Sequence, residues 1–259
     1  MKCLICDHEG QEVFRNIIMG KYDIAYYQCP NCKLIYTEKP YWLYEAYQDA
    51  IADTDTGLIR RSIQCSVLLN TMIRKVCYLE GSFLDYGGGY GVFVRMMRDL
   101  GHQFKWYDKY CENVVAKGFE YNGERIELVT AFELFEHFEQ PLQELERMIK
   151  ISRNILLSTV VYNEEYGYPD KDWWYYAPYT GQHICFYHKK TFQYLAEKYH
   201  LNYYQIDRDI HFLTEKHISR WKIKILFGNK IGKIYQYFKW ILDKKYALCE
   251  LDAIKMCKN

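Results

Sequence analysis

Three sets of residues have the types and spacing to do chemistry. Cys3-x-x-Cys6 and Cys29-x-x-Cys32 are separated by 22 residues. A hairpin in that interval would bring four thiolates to one point, where they can enclose a zinc ion tetrahedrally; with no coordination position left open, such an ion serves folding. Glu133, Glu136 and His137 stand at i, i+3 and i+4, so one helical turn would place two carboxylates and an imidazole on one side. That set is half of a divalent-cation site, or a general base with its orienting acid, and a helix cap that only fixes a loop is an equal alternative. The third set is Asp85, Gly87, Gly89 and Gly91, followed 17 residues later by Asp108. Alternate glycines let backbone pass close to a ligand, and an acid at the tip of a second strand can accept both hydroxyls of a ribose. On spacing alone, a glycine turn without a ligand and a nicotinamide or flavin site stay open.

The third set needs a strand, a turn and a helix. Phe83 and Leu84 supply the apolar end of a buried strand, and Val92, Phe93, Met96, Met97 and Leu100 follow helical spacing until Gly101. A second strand at 103–107 ends in Asp108, a further one at 128–130 runs into the Glu-His stretch, and a helix starts near Pro141 with Leu142, Leu145, Met148 and Ile149 on one face. The apolar run 154–160 fits a central parallel strand, and 203–206 with 211–214 read as a closing antiparallel pair. The expectation is an α/β, doubly wound, Rossmann-like sheet. Only about twenty residues separate Asp108 from Leu128, room for two helical turns and a short strand at most, and no acid there stands out as a contact for an adenine. Val13-Phe14 and Ala25-Tyr26-Tyr27 read as the strands that carry the cysteine knuckles.

Four segments follow: a zinc-ribbon module at 1–40, a helical connector at 41–80 interrupted at Thr54 to Gly57, the α/β domain at 81–214, and a basic helical extension at 215–259. Tyr44 or Arg60 of the connector could reach a ligand over the strand ends. The loop from Tyr162 to Tyr179, with Trp173-Trp174-Tyr175-Tyr176, is long and aromatic enough to grip a ring-shaped acceptor. From Gln205 to Asn259 there are twelve Lys or Arg against six Asp or Glu, while the whole chain nets +1. That balance gives no global argument for a polyanionic partner. Packing or homodimerisation is the first expectation for the extension, with peripheral membrane contact next. With 49% hydrophobic residues, no leader-like start and no apolar run of about eighteen residues, a soluble, cytoplasmic protein is expected. Cys65, Cys77, Cys111, Cys185, Cys249 and Cys257 lack knuckle spacing and read as ordinary half-buried thiols.

The glycine motif with Asp85 and Asp108 resembles motif I and the following acid of class I S-adenosylmethionine-dependent methyltransferases. The resemblance covers about 83–214 and implies a sheet of seven strands in which Asp85, Gly87, Gly89, Gly91, Asp108 and Glu133 bind that cofactor. Glu133-x-x-Glu136-His137 resembles the metal-binding motif of small-RNA 3′-terminal 2′-O-methyltransferases and the same stretch of ubiquinone-type O-methyltransferases. In the former a downstream histidine completes the shell; here it is His183, while Phe138 stands where that family has a second adjacent histidine. The resemblance thus implies catalytic roles for Glu136, His137 and His183, and a second divalent cation held among Glu133, Glu136, His137 and His183. A short zinc module at Cys3, Cys6, Cys29 and Cys32 ahead of such a domain is similar to sugar-modifying methyltransferases. It implies O-methylation of a sugar or glycan-type small acceptor, with nucleic acid disfavoured by the charge balance. The alternatives are an RNA methyltransferase with a zinc-ribbon recognition module and a catalytically silent cofactor-binding partner protein.

Overall fold

The computed structural model describes residues 1–48, 56–163 and 167–256. The Thr54-Asp55 part of the expected connector break, and Cys257, lie outside the described residues. The strands are β1 (Gln11–Ile18), β2 (Tyr22–Gln28), β3 (Ile35–Thr37), β4 (Ser82–Tyr86), β5 (Gln103–Tyr107), β6 (Leu128–Phe132), β7 (Asn154–Ser158), β8 (Val161–Tyr162), β9 (Cys185–His188), β10 (Asn202–Asp207) and β11 (Ile210–Thr214). The α-helices are α1 (Leu43–Ala46), α2 (Leu58–Thr71), α3 (Val92–Arg98), α4 (Pro141–Ile151), α5 (Lys189–Lys198), α6 (Arg220–Phe227), α7 (Lys230–Asp243) and α8 (Cys249–Met256).

The larger sheet has the order β10-β11-β7-β6-β4-β5, six strands where seven were expected. β4 lies between two parallel neighbours, Leu84 opposite Lys105 on one side and Val129 on the other. Its Phe83 and Leu84 are buried, as a strand covered on both faces requires. The missing strand belongs to the interval after Asp108. There Asn113 Nδ2 donates to the Ala116 carbonyl and to Glu120, and the Ala116 amide donates back to Asn113 Oδ1. These side-chain bonds take the place of a helical ladder, and only an isolated parallel bridge, Trp106 to Glu120, remains of the expected strand.

The chain contacts define two compact units. One contains the N-terminal segment with 132–150 and 157–215; the other contains the chain from α2 to Ala131, 151–156, and the segment from Lys216 onward. In the first, β1 and β2 form a hairpin through the three residues Met19, Gly20 and Lys21; Met19 and Gly20 have positive φ, and the Lys21 amide donates to the Ile18 carbonyl at 3.1 Å. The five-stranded order is β1-β2-β3-β9-β8, so the ribbon's sheet continues through β3 into strands from much later in the chain. Ile35 pairs with Phe186 and Tyr36 with Cys185. Thr191 at the start of α5 donates to the Cys32 carbonyl at 2.8 Å, while the α5 cap is made by His188, whose ring accepts from the Lys190 amide.

In the second unit, α2 continues into a single π-helical turn at Met72–Cys77, which ends on Tyr78 in the left-handed region. α3 and α8 are joined by a buried pair, Arg98 giving Asp252 two charge-assisted hydrogen bonds of 2.7 and 2.5 Å.

Candidate functional site

The glycine turn follows β4 directly. The amides of Gly87 and Gly88 donate to the Tyr107 carbonyl at 2.8 and 3.0 Å, which folds the turn back over the end of β5. Gly91, at φ +87°, opens α3, and an added Cβ would stand 2.8 Å from Asn113 Oδ1. At Gly88 a Cβ would stand 2.7 Å from Trp106 Cδ1, so the indole lies in close contact with the turn. Trp106 Nε1 donates to the Gly89 carbonyl at 2.8 Å. Trp106 and the first residue beyond β5, Asp108, are two residues apart, and that period was the signal available in the sequence for placing both at the turn.

Asp108 faces the turn. Its Oδ2 accepts from the Gly89 amide at 2.9 Å, and its Oδ1 from the amides of Tyr110 and Cys111 at 2.7 and 2.8 Å. A carboxylate has about four acceptor positions, and three serve backbone donors. Asp108 thus stands beside the glycine turn, where the acceptor for a ribose was expected. Asp85 is buried and accepts from Thr130 Oγ1 at 2.7 Å. Burial, followed by the charge of Asp108, pushes its carboxyl up to about 7 against the pull of Thr130. Asp85 therefore buttresses the turn from within.

In the other unit, Phe135–His137 is one turn of 3₁₀ helix, held because Tyr187 donates to the Phe135 carbonyl at 3.0 Å and the Ile184 amide to the Glu136 carbonyl at 2.8 Å. These bonds bring Glu136, His137 and His183 together, one ligand atom of each within 4.8 Å of the others. Glu133 is not in this group. β6 runs through Phe132, so Glu133 is the first residue beyond the strand, at φ +49°, and not the first turn of a helix. Its amide donates to Ser158 Oγ at 2.8 Å, and Ser158 donates to its Oε1 at 2.5 Å. Helical spacing therefore does not bring Glu133 to the same side as Glu136 and His137.

Glu136 has 0% exposure. Tyr175 donates to its Oε1 at 2.7 Å, while Oε2 has no hydrogen-bond partner among the described residues. Burial first, and then the charges of Glu136 and Glu133, raise the Tyr175 phenol well above its ordinary value, so it remains a donor. His137 Nδ1 lies 3.1 Å from the Gln182 carbonyl and 2.9 Å from the Tyr47 hydroxyl. His183 Nδ1 lies 2.7 Å from the Tyr175 carbonyl. A carbonyl only accepts, so both Nδ1 atoms carry a proton, and in the neutral ring the lone pair is then on Nε2. Two imidazoles oriented by carbonyls, beside a buried carboxylate oxygen without a partner, form a donor set suited to a divalent cation. Tyr47, Tyr175 and Gln182 were missed as site residues: Tyr47 is remote in sequence, and Tyr175 was seen only as part of an aromatic loop. Tyr44 is 91% exposed, and Trp174 is also exposed.

Cys3, Cys6, Cys29 and Cys32 are all buried, with sulfurs 3.5 Å apart in the Cys3–Cys32 pair and 3.4 Å apart in the Cys6–Cys29 pair. A tetrahedron with Zn–S bonds of about 2.3 Å has sulfurs about 3.8 Å apart, so the four thiols could hold zinc. Both knuckles turn through a left-handed residue just past the second cysteine, Asp7 at φ +59° and Lys33 at φ +63°. The hydrogen bond from Cys32, larger than the opposing effect of burial, lowers the Cys3 thiol to about 6. Among the other cysteines, Cys77 and Cys185 are buried and Cys249 is exposed.

A family model described as a methyltransferase domain matches residues 63–206, more than half of the chain, and the chain belongs to that family. Its mixed α/β fold is that of a class I S-adenosylmethionine-dependent methyltransferase. No curated protein matches the chain. Among solved structures, it is similar to an O-methyltransferase family protein from Burkholderia thailandensis at 12% identity and a TM-score of 0.47, with 68% of this chain and 63% of that one covered. An O-methyltransferase family 2 protein from Planctomyces limnophilus, in complex with apigenin, has 12% identity and a TM-score of 0.44, with 66% and 64% covered. Human N-acetylserotonin methyltransferase in complex with SAM has 14% identity and a TM-score of 0.43, with 69% and 67% covered. The chain spans less than two thirds of the length of the first two.

Proposed function

We propose that the protein transfers a methyl group from S-adenosylmethionine to a hydroxyl of a small, sugar-type acceptor. The observation that carries the acceptor chemistry is the buried Glu136 carboxylate, with an unpartnered Oε2, beside His137 and His183 in their Nδ1–H tautomers. When bound, the cofactor supplies an electrophilic methyl on a sulfonium. The residues that would hold it are Gly87, Gly89 and Gly91, with Asp108 taking one ribose hydroxyl.

His137 Nε2 is a lone-pair nitrogen whose ring is oriented through Nδ1, and it is the base that would take the acceptor's proton. If Glu136, His137 and His183 instead hold a divalent cation, His137 Nε2 is a ligand and not the base; the cation's chemistry is then to lower a hydroxyl's pKa and to chelate neighbouring oxygens, a reason to favour a polyhydroxylated acceptor. Cys3, Cys6, Cys29 and Cys32 would hold a structural zinc, closed to substrate.

The test is transfer of radiolabelled methyl to a panel of sugars and nucleotide sugars, with RNA alongside, by the wild type and by His137→Ala and Glu136→Ala. Label in an alkali-stable ether, reduced at least 100-fold in either variant with cofactor binding retained, is the expected result. Label on nitrogen or in RNA, or undiminished transfer by both variants, would overturn it.

A further inference from the structure

Helix α7 is turned inside out. Its buried positions are Gly232, Gln236 and Asp243, small or polar. Its exposed positions include Ile231 at 80%, Ile234 at 70%, Phe238 at 58% and Ile241 at 60%, spaced i, i+3, i+7 and i+10 along the opposite face. The inner face is fastened by specific polar bonds. Gln236 Nε2 donates to the Leu226 carbonyl of α6 at 2.6 Å, Asn70 of α2 donates to Asp243 Oδ2 at 3.0 Å, and Trp240 Nε1 donates to Ser66 Oγ at 3.0 Å. A Cβ at Gly232 would stand 2.3 Å from the Ile225 carbonyl, so only glycine lets α6 and α7 approach this closely. Polar anchors thus hold the helix with four large apolar side chains facing solvent, an arrangement burial alone would reverse.

The charges around this face have one sign. From Lys216 to Leu248 there are nine Lys or Arg and one acid, Asp243, which is buried. Lys230, Lys233, Lys244 and Lys245 of α7 and its C-terminal end are exposed, as are Lys224, Trp221 and Ile225 on α6. A second copy docking face to face would set these cations against one another. Aliphatic side chains flanked by lysines, with tryptophan and phenylalanine among them, suit a helix lying in the plane of an anionic interface. No helix among the described residues is long and apolar enough to cross a membrane.

We propose that α6 and α7 dock the protein on the surface of an anionic lipid bilayer, with Ile231, Ile234, Phe238 and Ile241 entering the headgroup boundary. This goes beyond the methyl-transfer reading and does not depend on it.

The test is flotation of the full chain with phosphatidylcholine vesicles, with and without phosphatidylglycerol, at low and high salt. The wild type should float with the anionic vesicles, less so at high salt, and the Trp221 emission should shift to the blue. Ile234→Glu/Phe238→Glu should abolish flotation, and Lys230→Gln/Lys233→Gln should weaken partitioning by about fivefold per lysine. All four side chains are exposed, and an unchanged melting temperature checks that the variants fold. Absence of flotation at low salt, equal flotation of the glutamate variant, or a concentration-dependent dimer that the glutamate variant dissolves would each overturn the proposal.

Discussion

Replacing Glu136 by Gln gives the clearest test of the cluster around it, because the sign of the stability change depends on whether a cation binds. In the ion-free protein the Glu136 side chain has 0% exposure, one hydrogen bond from Tyr175, and an Oε2 without a partner. Keeping a carboxylate there is unfavourable by a few kcal/mol, and an isosteric neutral amide relieves part of it. An ion-free Glu136→Gln protein should therefore melt above the wild type, by about 2–8 °C if about 1–2 kcal/mol is recovered in a chain of this length. With a cation at about 100 times its Kd, the wild type should gain about 2.7 kcal/mol, or about 5–11 °C, and the variant should gain little. The order of the two melting temperatures then inverts. Manganese is the suitable probe, since thiolates prefer zinc and the Glu136–His137–His183 donors are harder. Calorimetry of zinc-saturated protein over a manganese titration reads the crossing. If the wild type does not respond to manganese or magnesium, or if both proteins rise together, Glu136 is a structural acid and the cation reading is refuted.

Three further outcomes follow from the geometry. Cys32→Ser, or exhaustive chelation, should remove one bound zinc per chain by elemental analysis and collapse near-ultraviolet dichroism from β1 to β3, since binding of a structural zinc is folding free energy. Burial raises the folded pKa of Asp85 to about 7 from an ordinary 3.8, so its contribution to stability is complete below about pH 4 and is lost as pH rises to about 7, by at most about 1.4 kcal/mol per pH unit. Asp85→Asn, which keeps an acceptor for Thr130, should flatten that slope in urea titrations from pH 4 to 8 and be the more stable protein at pH 8; an unchanged slope refutes the assignment. Asp108→Asn sets an amide against backbone donors that now meet a carboxylate, and should weaken cofactor binding by at least about tenfold in calorimetry; undiminished affinity would separate Asp108 from the cofactor.

Local rules made much of this legible. Two residues between cysteines leave little freedom, so four thiols at 3, 6, 29 and 32 pointed to a single cluster, and alternating Val13-Phe14 and Ala25-Tyr26-Tyr27 marked the hairpin between them. The apolar period after Gly91 and the proline at 141 marked α3 and α4. What stayed hidden depended on contacts between distant segments. Nothing in Ile35 or Tyr36 announces pairing with Phe186 and Cys185, and nothing in Tyr47 announces a bond to His137, 90 residues away. The seventh strand was expected from the family pattern, but Asn113 and Glu120 close that interval into turns.

Glu133 and Glu136 show why composition could not decide the site. Both are glutamates in one short stretch, and helical spacing makes them equivalent. The backbone separates them: Glu133 turns through positive φ at the end of β6 and gives its carboxylate to Ser158, whereas Glu136 lies in a 3₁₀ turn that the Ile184 amide and the Tyr187 hydroxyl hold in place. The same segment supplies the Gln182 carbonyl that fixes the His137 tautomer and carries His183. Glu136 Oε2, buried and without a hydrogen-bond partner among the described residues, is the acceptor left open beside His137 and His183. The backbone, more than the spacing of the motif, therefore decides which carboxylate stands beside the two imidazoles.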